Sequence, residues 1–162
     1  MNQFCIEFLD QLPEKIEAKM EEGFVEYESN YGIDVNYKTF SLVLQDDLGN
    51  VIGVLNAYTA FAEIHVDDLW VDKAWRNKGY GRKLLQSLEA HFQGKGFNNI
   101  NLVTNAFQAP EFYIKCGYTA EFIRTNLKNP MLNKIFFVKY FADEHQMQGL
   151  LKLKEKLPVS VL

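Results

Sequence analysis

Apolar and polar residues alternate with a period of two over several stretches of this chain, separated by short polar or glycine-containing breaks. Residues 40–45 and 51–61 read as paired strands, and Asp46-Asp47-Leu48-Gly49-Asn50 between them has the composition of a tight turn. Residues 62–71 continue as a third strand and residues 99–104 as a further one. Residues 118–125 and 134–141 close the series as a second hairpin around Lys128-Asn129-Pro130. Residues 4–9 also read as a strand, the first of the chain. Ile135-Phe136-Phe137-Val138 is apolar at every position, which predicts a strand covered on both faces.

Elsewhere the period lengthens. Gly81, Leu84, Leu85, Leu88 and Phe92 recur every three or four residues, which predicts a helix over residues 81–93, stopped by Gly94 and Gly96. Another helix is expected after Pro13, running to about residue 31. A short one over residues 109–116 has Pro110 at its start and Gly117 just past its end. Strands dominate and helices lie between some of them, so the class is α/β with a mixed sheet.

A chain of 162 residues, 48% hydrophobic, suits one domain with a sizeable core, placed here over residues 1–141. In the tail over residues 142–162, Met147, Leu150, Leu151 and Leu157 predict an appended amphipathic helix, either capping its own domain or joining two copies in a homodimer. The formal charge of −4 argues against nucleic acid as a partner and is compatible with a cationic one. Cys5 and Cys116 have no Cys-x-x-Cys or metal-ligand spacing, so both read as small core residues in a reducing compartment. No basic-then-apolar leader opens the sequence, and no run approaches the ~20 apolar residues needed to span a bilayer. The expected location is cytoplasmic, away from membranes.

The segment Arg76-Asn77-Lys78-Gly79-Tyr80-Gly81-Arg82-Lys83 joins a strand to a helix. Its two glycines let the backbone approach a ligand and leave N–H groups pointing outward. A helix N-terminus carries a partial positive charge, yet Arg76, Lys78, Arg82 and Lys83 crowd more cations around this one. That arrangement is strained until an anion docks, so a phosphate or pyrophosphate ligand is predicted. A dinucleotide fingerprint needs a third glycine and a P-loop needs Gly-Lys-Ser/Thr; neither is present.

The loop reads Arg-x-x-Gly-x-Gly, is preceded by Leu69-Trp70-Val71-Asp72, and is followed one strand later by Ala109-Pro110-Glu111-Phe112-Tyr113-Ile114-Lys115-Cys116-Gly117-Tyr118. In that order these motifs resemble the GCN5-related N-acetyltransferase (GNAT) superfamily over residues 40–141, as a small single-domain bacterial-type member. The resemblance implies a mostly antiparallel, splayed sheet flanked by helices. It further implies that Arg76, Asn77, Lys78, Gly79, Tyr80, Gly81 and Arg82 cradle the pyrophosphate of acetyl-coenzyme A. Leu69, Trp70 and Val71 would pair with the pantetheine arm as an added strand would, and Asn105 matches a position that contacts the same arm. Ala109 and Phe112 fall on the cofactor-binding positions of the later helix, and Tyr113 on the tyrosine beside the thioester sulfur.

Acetyl transfer to an amine needs a base near the acceptor and a proton donor near the departing thiolate. An alkyl ammonium with a pKa near ~10 costs about 4 kcal/mol to deprotonate at pH 7. Tyr113 is the expected acid. The family's carboxylate base lies six residues before the valine of the strand edge, and here that position is His65. Histidine titrates near neutral pH and is able to serve, while Glu63 or Asp67 acting through water stay open. Strand alternation puts Glu63, His65 and Asp67 on one face and Ile64, Val66 and Asp68 on the other. His91 and His145 lack a second ligand, and alternation splits the acidic group Glu63, Asp67, Asp68 and Asp72, so no metal is expected. The implied activity is transfer from acetyl-coenzyme A to a primary amine by direct attack in a ternary complex. The alternative is a non-catalytic acyl-coenzyme A-binding module on the same fold. The acceptor would be defined by residues 26–37 and 126–134.

Overall fold

The computed structural model of the chain describes residues 5–141. The chain divides into two compact units, Met1–Val35 and Asn36–Leu162. In the first, Pro13 leads into α1, Glu14–Ser29, with Glu14 and Glu17 in its first turn, where acidic side chains complement the helix dipole. The strand expected over residues 4–9 does not form in its described part. Residues 5–9 are irregular and Ile6 and Phe8 are fully exposed. Alternation makes a segment compatible with a sheet, but only a partner's hydrogen-bond ladder makes it a strand. Cys5 is exposed, not a core residue; Cys116 is partly buried.

The second unit is built on β1 (Lys38–Gln45), β2 (Val51–Ala60), β3 (Glu63–Val71), α2 (Tyr80–Phe92), β4 (Asn99–Asn105), α3 (Pro110–Lys115), β5 (Thr119–Arg124) and β6 (Lys134–Tyr140). The six strands form one sheet in the order β1-β2-β3-β4-β6-β5. All neighbours are antiparallel except β3 and β4, which run parallel because α2 carries the chain back between them. The α/β, mostly antiparallel architecture expected from the sequence is therefore the one observed. β6 lies inside the sheet between β4 and β5, which accounts for its unbroken apolar run. The helix expected in residues 142–162 lies outside the described residues.

One face of the sheet holds the core. Leu84, Leu85, Leu88 and Phe92 of α2 pack on Leu55, Ala57, Ile64, Val66, Ile100 and Leu102, and all ten are buried. Lys139 ties β6 to both helices, donating to Glu89 Oε2 at 2.7 Å and to the Cys116 carbonyl at 3.0 Å. The opposite face is polar near β3, with Asn56, His65, Asn101 and Tyr140, and aromatic towards β5, where Phe122 meets Phe136 at 5.5 Å. Among the described residues no helix is long and apolar enough to cross a membrane.

Candidate functional site

Two irregularities in β3 shape the site. The first is a bulge: Asn56 pairs with Asp68 and Ala57 with Val66, so Asp67 has no partner on β2. The extra residue shifts the alternation, and Asp68 joins Glu63 and His65 on the polar face, where its Oδ2 accepts from Asn56 Nδ2 at 3.1 Å. The expectation that Asp68 faces away from His65 is thereby corrected. The second irregularity is a fork. The parallel register runs from Glu63↔Asn99 to Val66↔Leu102 and stops there. Beyond it, residues 67–71 and 103–105 diverge, leaving the β4-facing backbone groups of Leu69 and Val71 without a ladder partner, while those of Trp70 face β2. Leu69 is partly buried and Trp70 is 44% exposed.

The chain leaves β3 through Asp72, whose carboxylate accepts from the Ala74 N–H at 2.8 Å, and enters α2 across a left-handed turn. Asn77 has φ 59° and Gly79 φ 86°, and Gly79 is the N-cap of α2 with no side chain to satisfy the first N–H groups. No acidic residue lies in the first turn. The surrounding cations reach carbonyl oxygens instead. Arg76 Nε donates to Val71 O at 3.0 Å, Lys78 Nζ to Ala74 O at 3.1 Å, and Arg82 Nη2 to Lys115 O at 3.1 Å. Lys78 also lies over the Trp75 ring at 4.9 Å, and Trp75 meets Tyr80 edge-on. Among the described residues none of these three cations has a carboxylate partner within 4 Å, so an anion at this end of α2 gains from both N–H groups and side chains.

The two glycines of the loop have different uses. Space around Gly79 is open, and its positive φ is what a side chain would resist. At Gly81 an added Cβ would stand 3.1 Å from Phe112 Cζ and 3.7 Å from Val71 Cγ2. Gly81 therefore admits α3 against α2, whereas the sequence reading had both glycines admitting a ligand. Phe112 and Tyr113 both pack against the core from α3.

Tyr113 packs against the core on the helix face of the sheet. Its ring lies 5.8 Å from that of Phe137, which pairs with Leu102, the last rung of the parallel register. Burial, with the nearby Cys116 thiol second, pushes the Tyr113 phenol up to about 12. Cys116 is itself raised by burial, partly offset by Arg82. Tyr113 thus stays protonated through the physiological range and presents a donor. Ala109 is the N-cap of α3 without a side-chain bond. Gln108, which carries no role in the sequence motifs, organises the turn before it: its Oε1 accepts from Thr104 Oγ1 at 3.1 Å and from the Asn105 N–H at 2.8 Å.

His65 comes to the fork from the polar face, one rung before the register ends, opposite Asn101. Its Nδ1 lies 2.6 Å from Asn101 Oδ1, its Nε2 lies 3.8 Å from Asp67 Oδ1, and its ring is 5.1 Å from that of Tyr58. Burial and the neighbouring Asp67 carboxylate raise the Tyr58 phenol. A recess of about 360 Å³ opens beside His65, lined by Glu63, Asn99, Asn101, Glu121 and Tyr140 among others. Asn99 and Asn101, which hold Glu63 and His65, were missed in the sequence because their partners are 36 to 38 residues away.

Residues 37–120, just over half of the chain, match the family described as acetyltransferase (GNAT) domain. The chain is 37% identical over 71 residues to the blasticidin-S acetyltransferase of Streptomyces morookaense, a match that covers 43% of this chain. It spans about half, 52%, of that relative's length. Among solved structures, an acetyltransferase from Bacillus cereus superposes with a TM-score of 0.69 and 27% identity, over 83% of this chain and 97% of the other. An aminoglycoside 6'-N-acetyltransferase complexed with coenzyme A superposes with a TM-score of 0.57 and 17% identity, over 80% and 87% of the two chains; at that identity the likeness is one of fold.

Proposed function

The chain belongs to the acetyltransferase (GNAT) family, and from that membership we propose that it moves an acetyl group from acetyl-coenzyme A to a primary amine by direct attack in a ternary complex. The observation that carries this reading is the fork after Val66↔Leu102, with His65 on one face and Tyr113 on the other, one strand end away from the uncapped start of α2. The edge Leu69-Trp70-Val71, which has no ladder partner on its β4 side and only its Val71 carbonyl engaged there by Arg76, suits a pantetheine arm laid along the strand. The N–H groups from Gly79 to Arg82, with Arg76, Lys78 and Arg82 around them, suit its pyrophosphate. Asn105, Ala109 and Phe112 border the same cleft from the end of β4 and from α3. The coenzyme A complex of the aminoglycoside acetyltransferase supports the same donor here.

Acetyl-coenzyme A supplies an activated acetyl thioester; the chain's own groups handle protons. His65 takes the proton of the incoming ammonium, because an amine must be neutral to attack. Tyr113, neutral by virtue of its burial, directs its O–H at the sulfur as charge develops there. With a phenol so weakly acidic, this is chiefly a hydrogen bond to the thiolate, and the bulk of the stabilisation is electrostatic. Glu63, Asp67 and Asp68 share the His65 face, with Tyr58 and Trp70 beside them, which favours a cationic acceptor.

The test is thiol release from acetyl-coenzyme A against a panel of polyamines, aminoglycosides, amino acids and peptides. Release that depends on an amine and gives an acetylated product by mass is expected. Tight coenzyme A binding with no release from any amine would replace this reading with that of a non-catalytic binding module.

A further inference from the structure

The hydrogen bonds behind His65 leave little freedom in how their hydrogens are assigned. Glu63 accepts through both carboxylate oxygens, from Asn99 Nδ2 at 3.0 Å and from Asn101 Nδ2 at 3.1 Å. A carboxylate only accepts, so both amides must turn their nitrogens towards it. The second hydrogen of Asn101 Nδ2 goes to Asn99 Oδ1 at 2.9 Å. Asn101 Oδ1 is then left facing His65 Nδ1 at 2.6 Å, and it has nothing to donate. His65 Nδ1 must supply the hydrogen.

We infer that Asn101 is a positioning residue for the acetyl transfer proposed above: it holds the His65 proton on Nδ1 and so keeps Nε2 as the basic nitrogen. The inference rests on that reading of the reaction, but the tautomer itself does not. In an imidazole, the hydrogen bond made by one nitrogen decides which nitrogen keeps the lone pair. A free histidine side chain prefers its proton on Nε2, which would present a donor where a base is needed. The hold is rigid because it is anchored on both strands. Glu63 pairs with Asn99 and His65 with Asn101 in the parallel register, and Asn99 is 3% exposed. On the far side of the ring Tyr58 packs from β2. Asp67 Oδ1, 3.8 Å from Nε2, is beyond hydrogen-bond reach, so it does not compete for the tautomer.

Long-range proton–nitrogen NMR on the full chain, at a pH where the imidazoles are neutral, reads the tautomer directly. The chain has three histidines, and His65→Gln identifies the relevant signals. The expected pattern is a pyrrole-type Nδ1 and a pyridine-type Nε2; a pyridine-type Nδ1 in the wild type overturns the inference. In Asn101→Leu the proton should move towards Nε2, and turnover should fall on the order of 10-fold while coenzyme A affinity stays. Asn101→Asp combined with Glu63→Gln, which keeps an oxygen for Nδ1–H and lets the glutamine amide donate to the new carboxylate in place of two carboxylates facing each other, should restore the wild-type tautomer. A Leu variant that shifts the tautomer at unchanged turnover overturns the positioning role. A wild type with the expected tautomer and no amine-dependent thiol release refutes the proposed function, leaving the tautomer in place.

Discussion

Val66 and Leu102 form the last rung of the parallel pair, and the strands separate immediately beyond it. His65 lies on the polar face one rung before it, and Tyr113 packs on the opposite, core face. His65 is joined across the preceding rung to Asn101. Tyr113 reaches the region through Phe137, which is paired with Leu102 itself.

The two glycines of the anion loop should fail differently. Gly79→Ala imposes a left-handed backbone on an alanine, a cost of roughly 1–2 kcal/mol, with its methyl group in open space beside the helix start. Coenzyme A affinity, read by calorimetry, should fall about 10-fold or more with only a modest drop in Tm. Gly81→Val instead drives a side chain into Phe112 and should cost about 1–3 kcal/mol of folding stability. Adding Phe112→Leu should recover part of that loss. Recovery of stability without recovery of binding would show that the loop backbone, too, needs the glycine.

Removing only the hydroxyl of the candidate donor, in Tyr113→Phe, should lower turnover by roughly 10²–10³-fold where chemistry limits the rate. Coenzyme A affinity should change little, since the ring stays packed against Phe137. Equal single-turnover rates in the two proteins would leave Tyr113 a packing residue.

Stability at alkaline pH should also depend on Tyr113. Its phenol titrates near 10 when unfolded and about 12 when folded. Below pH 10 both states keep the proton, and the buried phenol costs nothing; between about 10 and 12 the unfolded state releases it first. Stability therefore falls as pH rises through that window. Tyr118, whose phenol is also raised by burial, acts in the same direction. Denaturant melts at pH 9 and 11.5 should show a smaller alkaline loss in Tyr113→Phe than in the wild type.

The Lys139–Glu89 pair offers a test of the link between the sheet and its helices. The Nζ–Oε2 distance is 2.7 Å and both side chains are largely shielded, while the same ammonium holds the Cys116 carbonyl. Lys139→Met should cost about 1–3 kcal/mol, more than an exposed pair would, because it strands two acceptors. Chemical denaturation of Lys139→Met, Glu89→Gln and the double variant would give the coupling between them; additive losses would mean that the ion pair contributes nothing of its own.

Periodicity in the sequence determined most of the elements around the site. Strand alternation, the helical spacing from Leu84 to Phe92, and the Pro110 and Gly117 punctuation are local, and each acts within one or two turns of chain. The glycine- and cation-rich loop before α2 was legible for the same reason: its glycines and cations are consecutive. What only the tertiary structure decided is non-local. A bulge at Asp67 exists because β2 and β3 pair in unequal register, and no reading of β3 alone moves Asp68 to the His65 face. Gly81 is explained by a phenylalanine 31 positions later, on a helix that must come close. The tautomer of His65 depends on Asn101, 36 residues away, and through it on Glu63. Residues 5–9, the described part of the expected first strand, fail in the opposite sense: they alternate as a strand does, but a strand is defined by its neighbour, and a sequence pattern supplies none.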